Sequence, residues 1–307
     1  QFPVQYTEYQ QLNQEQLYQQ VHQQDVIIAS SLHIDDRVLA NNPQLKLLAL
    51  CSTGYNHVDL ALLQAHHVKV CNVRNYASDS IAEHCFCLIL QLTRNMPLQI
   101  QAVHHRQWSQ SGQANYLAAP MYELKGKTLT IIGKGDVGLA LARMAQAFGL
   151  QVVFAERKQA RTCRAGYTPF EQAVQQADIL SLHCELNAET KQLIDAQVLS
   201  LMKSTGILIN AGRGELINDE DLIQAIQEKR LAGFAADVLN QEPPDIDHPL
   251  LRLQDEQSNV LLTGHIAWRT EEAQKRLFCM IENNINSNMQ GCEQNLVYAT
   301  SAAIPSN

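Results

Sequence analysis

Short apolar runs separated by amphipathic stretches recur along almost the whole chain. In the N-terminal third, residues 25–29, 46–50 and 68–73 read as strands, and residues 14–24, 35–40 and 60–66 read as helices. Strands alternating with helices imply a parallel sheet covered on both faces. A longer helix is expected over 78–105, where Ile81, Cys85, Leu88, Ile89, Leu92 and Met96 recur at three- and four-residue steps and form one apolar stripe. Beyond Pro120 the rhythm predicts strands at 128–132, 152–155, 179–183, 207–210, 233–237 and 260–263. Helices are expected between them at 136–148, 170–176, 195–203 and 219–229, and a last one over 270–288 precedes a polar tail. Six strands with right-handed crossovers describe a doubly wound dinucleotide-binding domain.

Composition narrows the function. A chain of 307 residues with 46% hydrophobic and 18% charged residues suits two compact domains of an ordinary globular enzyme. The net charge is −8, and no Lys/Arg cluster stands against it, so nucleic acid is an unsuitable partner. No apolar run approaches the ~20 residues that cross a bilayer. The absence of a basic and apolar leader favours the cytoplasm. Eight cysteines without a CxxC pair point to reduced thiols rather than disulfides or a metal site. The chain opens at Gln1 on a Gln-rich stretch, which suggests that the first strand of the N-terminal domain is missing.

Gly133-Lys134-Gly135-Asp136-Val137-Gly138 follows the expected strand 128–132 and opens a helix. The first glycine permits the tight turn, the second lets backbone approach a pyrophosphate, and the third lets helix pack on strand. Free N–H groups and the positive end of the helix then face the anion. Asp136 is expected to contribute only its backbone N–H. Glu156 ends the next expected strand, 18 residues past Gly138, where a carboxylate binds ribose hydroxyls and repels a 2′-phosphate. This predicts NAD(H) in preference to NADP(H), though Arg157 and Lys158 adjoin it.

Hydride transfer to a 2-keto acid needs a cation for the carboxylate, an acid for the developing alkoxide, and a partner that keeps the acid charged. Arg213, between two glycines after the strand 207–210, offers a planar fork of donors; the alternative is an arginine in a surface turn. His265 follows the strand 260–263, although any one of eleven histidines is by itself more often structural. Glu242 is its candidate partner, because a carboxylate bonded to imidazole raises the imidazole pKa. Asp237 ends another strand and either binds the nicotinamide carboxamide or caps the turn that follows.

Together, residues 52–59, 72–84, 124–138, 201–216, 233–244 and 263–268 resemble the D-isomer-specific 2-hydroxyacid dehydrogenase family, over nearly the whole chain. Residues 154–158, 164–169 and 265–268 look most like its glycerate dehydrogenase (hydroxypyruvate reductase) branch. The resemblance implies an α/β fold of two doubly wound parallel-sheet domains. One is a Rossmann NAD-binding domain over 98–269. The other is a smaller flavodoxin-like, discontinuous substrate domain over 1–97 and 270–307. It further implies that Arg213 anchors the substrate, that His265 is the general acid/base, and that Glu242 supports His265. Ser52, Thr53 and Gly54 would offer N–H groups to the substrate carboxylate. Ala211, Asp237, His265 and Ala267 would join the glycine loop and Glu156 around the cofactor. A homodimer would form through the nucleotide domain and the long helix. Two positions depart from the family pattern: Glu185 and Gly264 stand where proline is common. The rival reading is a nucleotide-sensing, corepressor-like binding protein on the same fold, against which the Arg213, Glu242 and His265 set argues.

Overall fold

The computed structural model describes residues 4–9, 12–30, 32–256 and 259–298. The start at Gln1, and the strand expected to be missing before it, lie outside the described residues. The chain forms two compact units, Gln1–Ala77 with Glu271–Asn307, and Ser78–Thr270. The boundary therefore falls at 77/78, earlier than the expected 97/98.

In the first unit, helix α1 (Gln14–Gln20) precedes β1 (Val26–Ala29), α2 (Asp36–Asn41), β2 (Leu47–Leu50), α3 (Leu60–Ala65) and β3 (Lys69–Cys71). Side chains cap each helix start: Asn13 accepts from Gln16 N–H, Asp35 from Val38 N–H and Asp59 from Leu62 N–H. The strands pair in parallel in the order β1-β2-β3. β2 is buried along its whole length because helices cover both of its faces.

The second unit begins with α4 (Ser78–Thr93). The single helix expected over 78–105 is broken. Asn95 takes a left-handed φ of 46° and caps α5 (Met96–His104), in which Pro97 occupies the first turn. Proline lacks the N–H that a continuous helix needs and is tolerated only in a first turn. Met96 thereby leaves the apolar stripe and is exposed, while Cys85, Leu88, Ile89 and Leu92 stay buried. A short α6 (Gln107–Ser111) follows.

Next come β4 (Thr128–Ile132), α7 (Asp136–Ala147), β5 (Gln151–Ala155), α8 (Phe170–Gln176), β6 (Ile179–Leu182), α9 (Ala196–Leu201), β7 (Ile207–Asn210), α10 (Asp219–Gln227), β8 (Gly233–Ala236), α11 (Pro249–Glu256) and β9 (Val260–Leu262). Helix α11 was not expected. The parallel sheet runs β5-β4-β6-β7-β8-β9. The chain leaves β4 to one side for β5 and then crosses to the other for β6, so the switch point lies at the C-terminal end of β4. Outside β5, Ala155 pairs with Thr168 in one isolated parallel bridge.

Alternation within β4 builds two cores. Leu129 and Ile131 face α4 and α7 with Ile179, Ile207 and Ile209. Ile132 faces the side of α8, α9 and α10 with Leu180, Leu182, Leu208 and Phe234. Packing of α4 against α7, β7 and β8 is what places 78–97 in this unit. The chain returns to the first unit through α12 (Glu271–Met289) and β10 (Leu296–Val297). β10 pairs antiparallel with β3, so the segment expected as a polar tail supplies an edge strand.

Candidate active site

The turn after β4 is shaped by backbone crowding. Gly133 has φ 105°, and a Cβ there would run into the His183 carbonyl at the end of β6. A Cβ on Gly138 would strike the Gly133 carbonyl, whereas one on Gly135 would meet nothing within 4 Å. Two glycines thus allow close packing of strand, turn and helix, and the third opens the turn to its surroundings. Gly135 gives α7 no side-chain cap, which leaves the first N–H groups of the helix, from Asp136 to Gly138, aimed at that opening. The Asp136 side chain is exposed. The turn fits the pyrophosphate of a dinucleotide.

Glu156 stands where expected, after β5, but its carboxylate is only 3% exposed. It is held by Arg164, whose Nε lies 2.8 Å from Oε2 and whose Nη2 lies 2.6 Å from Oε1. The Arg164 guanidinium, with the Arg164 and Arg157 N–H groups, holds this carboxyl down at about 2. No spacing rule in the sequence singled out Arg164.

Three strand ends bring the chemical groups together. The buried Asn210 at the end of β7 accepts from Gly212 N–H at 3.0 Å and donates to the Arg213 carbonyl at 2.9 Å, which fixes the loop carrying Arg213. A Cβ on Gly214 would collide with the Leu239 carbonyl group, so this loop lies directly against the one that follows β8. That second loop carries Glu242. His265, after β9, directs Nδ1 to Glu242 Oε2 at 2.6 Å. The bond to Glu242 raises the His265 pKa above its ordinary 6.5, against burial, which lowers it. Burial pushes Glu242 upward, but the bonds from His265 and Leu239 N–H outweigh it and lower its pKa. The Arg213 charge acts on both groups, lowering each pKa. Arg213, Glu242 and His265 therefore form one electrostatically coupled cluster.

Asp237 organises the turn that presents His265. One carboxylate oxygen accepts from the Thr263 hydroxyl at 2.5 Å and from Ile266 N–H at 3.0 Å, and the other accepts from Ala267 N–H at 2.8 Å. Its carbonyl accepts from His265 N–H at 2.8 Å. Asp237 is 1% exposed, and its carboxylate holds this turn. The turn has to be held, because His265 adopts a left-handed φ of 55°. His84 on α4 backs it, with Nε2 3.0 Å from Thr263 Oγ1. Thr263 and His84 fall within the family-like segments but carried no expected role of their own, because their partners lie far away along the chain. Ser52, Thr53 and Gly54 follow β2 in the first unit, where the Ser52 hydroxyl donates to the Gly54 carbonyl at 2.7 Å.

Residues 86–267, more than half of the chain, match the D-isomer specific 2-hydroxyacid dehydrogenase NAD binding domain. The chain belongs to that family. Accordingly it is an NAD-dependent oxidoreductase acting on CH–OH groups. A Haemophilus influenzae protein described as a 2-hydroxyacid dehydrogenase is 38% identical, over 94% of this chain and 92% of that one. A glycerate dehydrogenase of Methylorubrum extorquens is 32% identical, over 97% of this chain and 93% of its own. A solved structure from Thermus thermophilus superposes with a TM-score of 0.82 at 29% identity, covering 93% of this chain and 90% of that one. For a 2-hydroxyacid dehydrogenase, the free N–H groups after Gly135 suit the dinucleotide phosphates. The coupled cation, carboxylate and imidazole suit a keto acid. No described helix is long and apolar enough to cross a membrane.

Proposed function

We propose that this dehydrogenase reduces hydroxypyruvate to D-glycerate, and in reverse oxidises D-glycerate. The observation that carries the chemistry is the 2.6 Å bond between His265 and Glu242 within reach of the Arg213 charge. The relative named glycerate dehydrogenase supports the choice of acid. Bound NADH supplies the hydride. Gly133, Gly135 and Gly138, with the N–H groups of Asp136 and Val137, hold its pyrophosphate, and Ala211 and Ala267 line the cofactor. The Arg213 fork binds the substrate carboxylate and polarises the carbonyl. Protonated His265 donates to the developing alkoxide, and its bond to Glu242 favours that protonated form. On family likeness alone, Ser52, Thr53 and Gly54 are assigned to the substrate carboxylate. Preference for NAD(H) over NADP(H) would need the Glu156 carboxylate free toward the ribose, and Arg164 holds it instead.

The same reading includes a homodimer. Met96, Ile100 and Val103 share one face of α5 at helical spacing, and all three are exposed. Exposed Leu117 and Tyr122 lie on a segment tied back to α5 by bonds from Gln99 to the Ala119 carbonyl and from Asn95 to the Pro120 carbonyl. An apolar surface of this kind suits burial against a second copy. Eight free cysteines suit a reducing compartment such as the cytoplasm.

The test is NADH oxidation with hydroxypyruvate, glyoxylate and pyruvate, for the wild type and His265→Ala. Hydroxypyruvate should give the highest kcat/KM. The variant should lose about 10²–10⁴-fold in turnover, the usual size of a general-acid contribution, while binding NADH nearly as before. Near-normal turnover in the variant would refute the assignment of His265.

A further inference from the structure

Dinucleotide-binding domains tell NAD from NADP by one of two devices. A carboxylate after the second strand takes the ribose hydroxyls and repels a 2′-phosphate, or a nearby arginine accepts that phosphate. Here both are present, and they are bonded to each other. Glu156 Oε1 accepts from Arg157 N–H at 2.9 Å, Arg164 Nη2 at 2.6 Å and Arg164 Nε at 3.1 Å. Its Oε2 accepts from Arg164 Nε at 2.8 Å and Arg164 N–H at 3.0 Å. A carboxylate offers about four lone-pair sites, so these contacts leave none for a ribose hydroxyl. The fork also cancels the charge that would repel a phosphate.

The surroundings are cationic. Arg164 is half exposed and lies 4.1 Å from the centre of the Tyr167 ring. Lys134, between the first two glycines of the phosphate turn, lies 5.1 Å from the same ring and 4.7 Å from that of Phe154. Neither Lys134 nor Arg157 has a carboxylate partner among the described residues, whereas Lys158 is taken by Asp195 at 2.8 Å. Lys134 and Arg164 thus share the Tyr167 ring beside the neutralised carboxylate, and exposed Arg157 follows that carboxylate in the chain.

We propose that Arg164 disables Glu156 as the group that rejects a 2′-phosphate, and that the protein binds NADP(H) as well as NAD(H), with Lys134, Arg157 and Arg164 taking the phosphate. This rests on the dehydrogenase reading above. Calorimetric titration of the full chain with NADH, NADPH, ADP and 2′,5′-ADP tests it without turnover. NADPH and NADH should bind within about tenfold of each other. Arg164→Gln should weaken NADPH and 2′,5′-ADP by about ten- to a hundredfold, the size of one or two charge-assisted hydrogen bonds, while NADH and ADP bind at least as tightly as before because Glu156 is freed toward the ribose. Lys134→Ala, at an exposed position that leaves the fold undisturbed, should weaken the same two ligands selectively. Wild-type protein binding NADH more than about a hundredfold tighter than NADPH would overturn the proposal, as would equal losses for all four ligands in both variants. Failure of all four to bind would instead overturn the dehydrogenase reading, and this proposal with it.

Discussion

His265 and Glu242 make one acid whose strength depends on both partners. The His265 pKa is raised chiefly by the bond to Glu242, so the protonated ring persists to higher pH than a free imidazole. Keto-acid reduction uses that protonated ring. The rate should therefore hold below the raised pKa and fall as pH climbs through it. Glu242→Gln removes the anion that favours imidazolium, so the fall in kcat/KM for reduction should move to lower pH. A profile that stays in place would separate Glu242 from the acid. All three members of this cluster were legible in the sequence because each follows a strand of a parallel sheet, where such folds gather their ligands. Arg164 was not. Its importance comes from a loop folding back on the strand it left, and no periodicity records that. Asp237 was legible only as a choice between two roles, and its bonds to Thr263, Ile266 and Ala267 are those of the turn-holding one.

At the scale of elements, strands were read more faithfully than helix ends. Fully apolar runs such as 207–209 are buried on both faces, so their place in a parallel sheet follows directly. The break between α4 and α5 depends on one left-handed residue, Asn95, and on Pro97 tolerated in a first turn, against an apolar stripe that otherwise continues. β10 is two residues long and is created by pairing with β3, so no local pattern marks it. The phosphate turn offers a sharper test of element-level reasoning, because its glycines serve different ends. Gly133→Ala should cost about 1–3 kcal/mol or more, from the left-handed φ and the clash at His183, and should lower Tm by several degrees. Gly135→Ala should leave Tm almost unchanged, since its Cβ meets nothing, yet weaken NADH binding by about tenfold or more where the pyrophosphate approaches. Thermal melts and NADH titrations of the two variants would show opposite patterns. Matching patterns would count against the assigned roles.

For the whole molecule, the family resemblance implied a chain that leaves the first unit and returns to it, and packing sets the point of departure at 77/78. The exposed face of α5 carries the account of assembly. Ile100→Glu together with Val103→Glu should convert a dimer to a monomer in sedimentation velocity at micromolar concentration, and an unchanged mass would place the interface elsewhere. The central claim is direct hydride transfer to C2 of a keto acid that is held by Arg213 and protonated by His265. It is tested most directly with NADH carrying deuterium at both C4 positions of the nicotinamide and unlabelled hydroxypyruvate, by following the product by NMR and chiral analysis. The account predicts D-glycerate with deuterium at C2. Unlabelled glycerate, or the L-enantiomer, would contradict it.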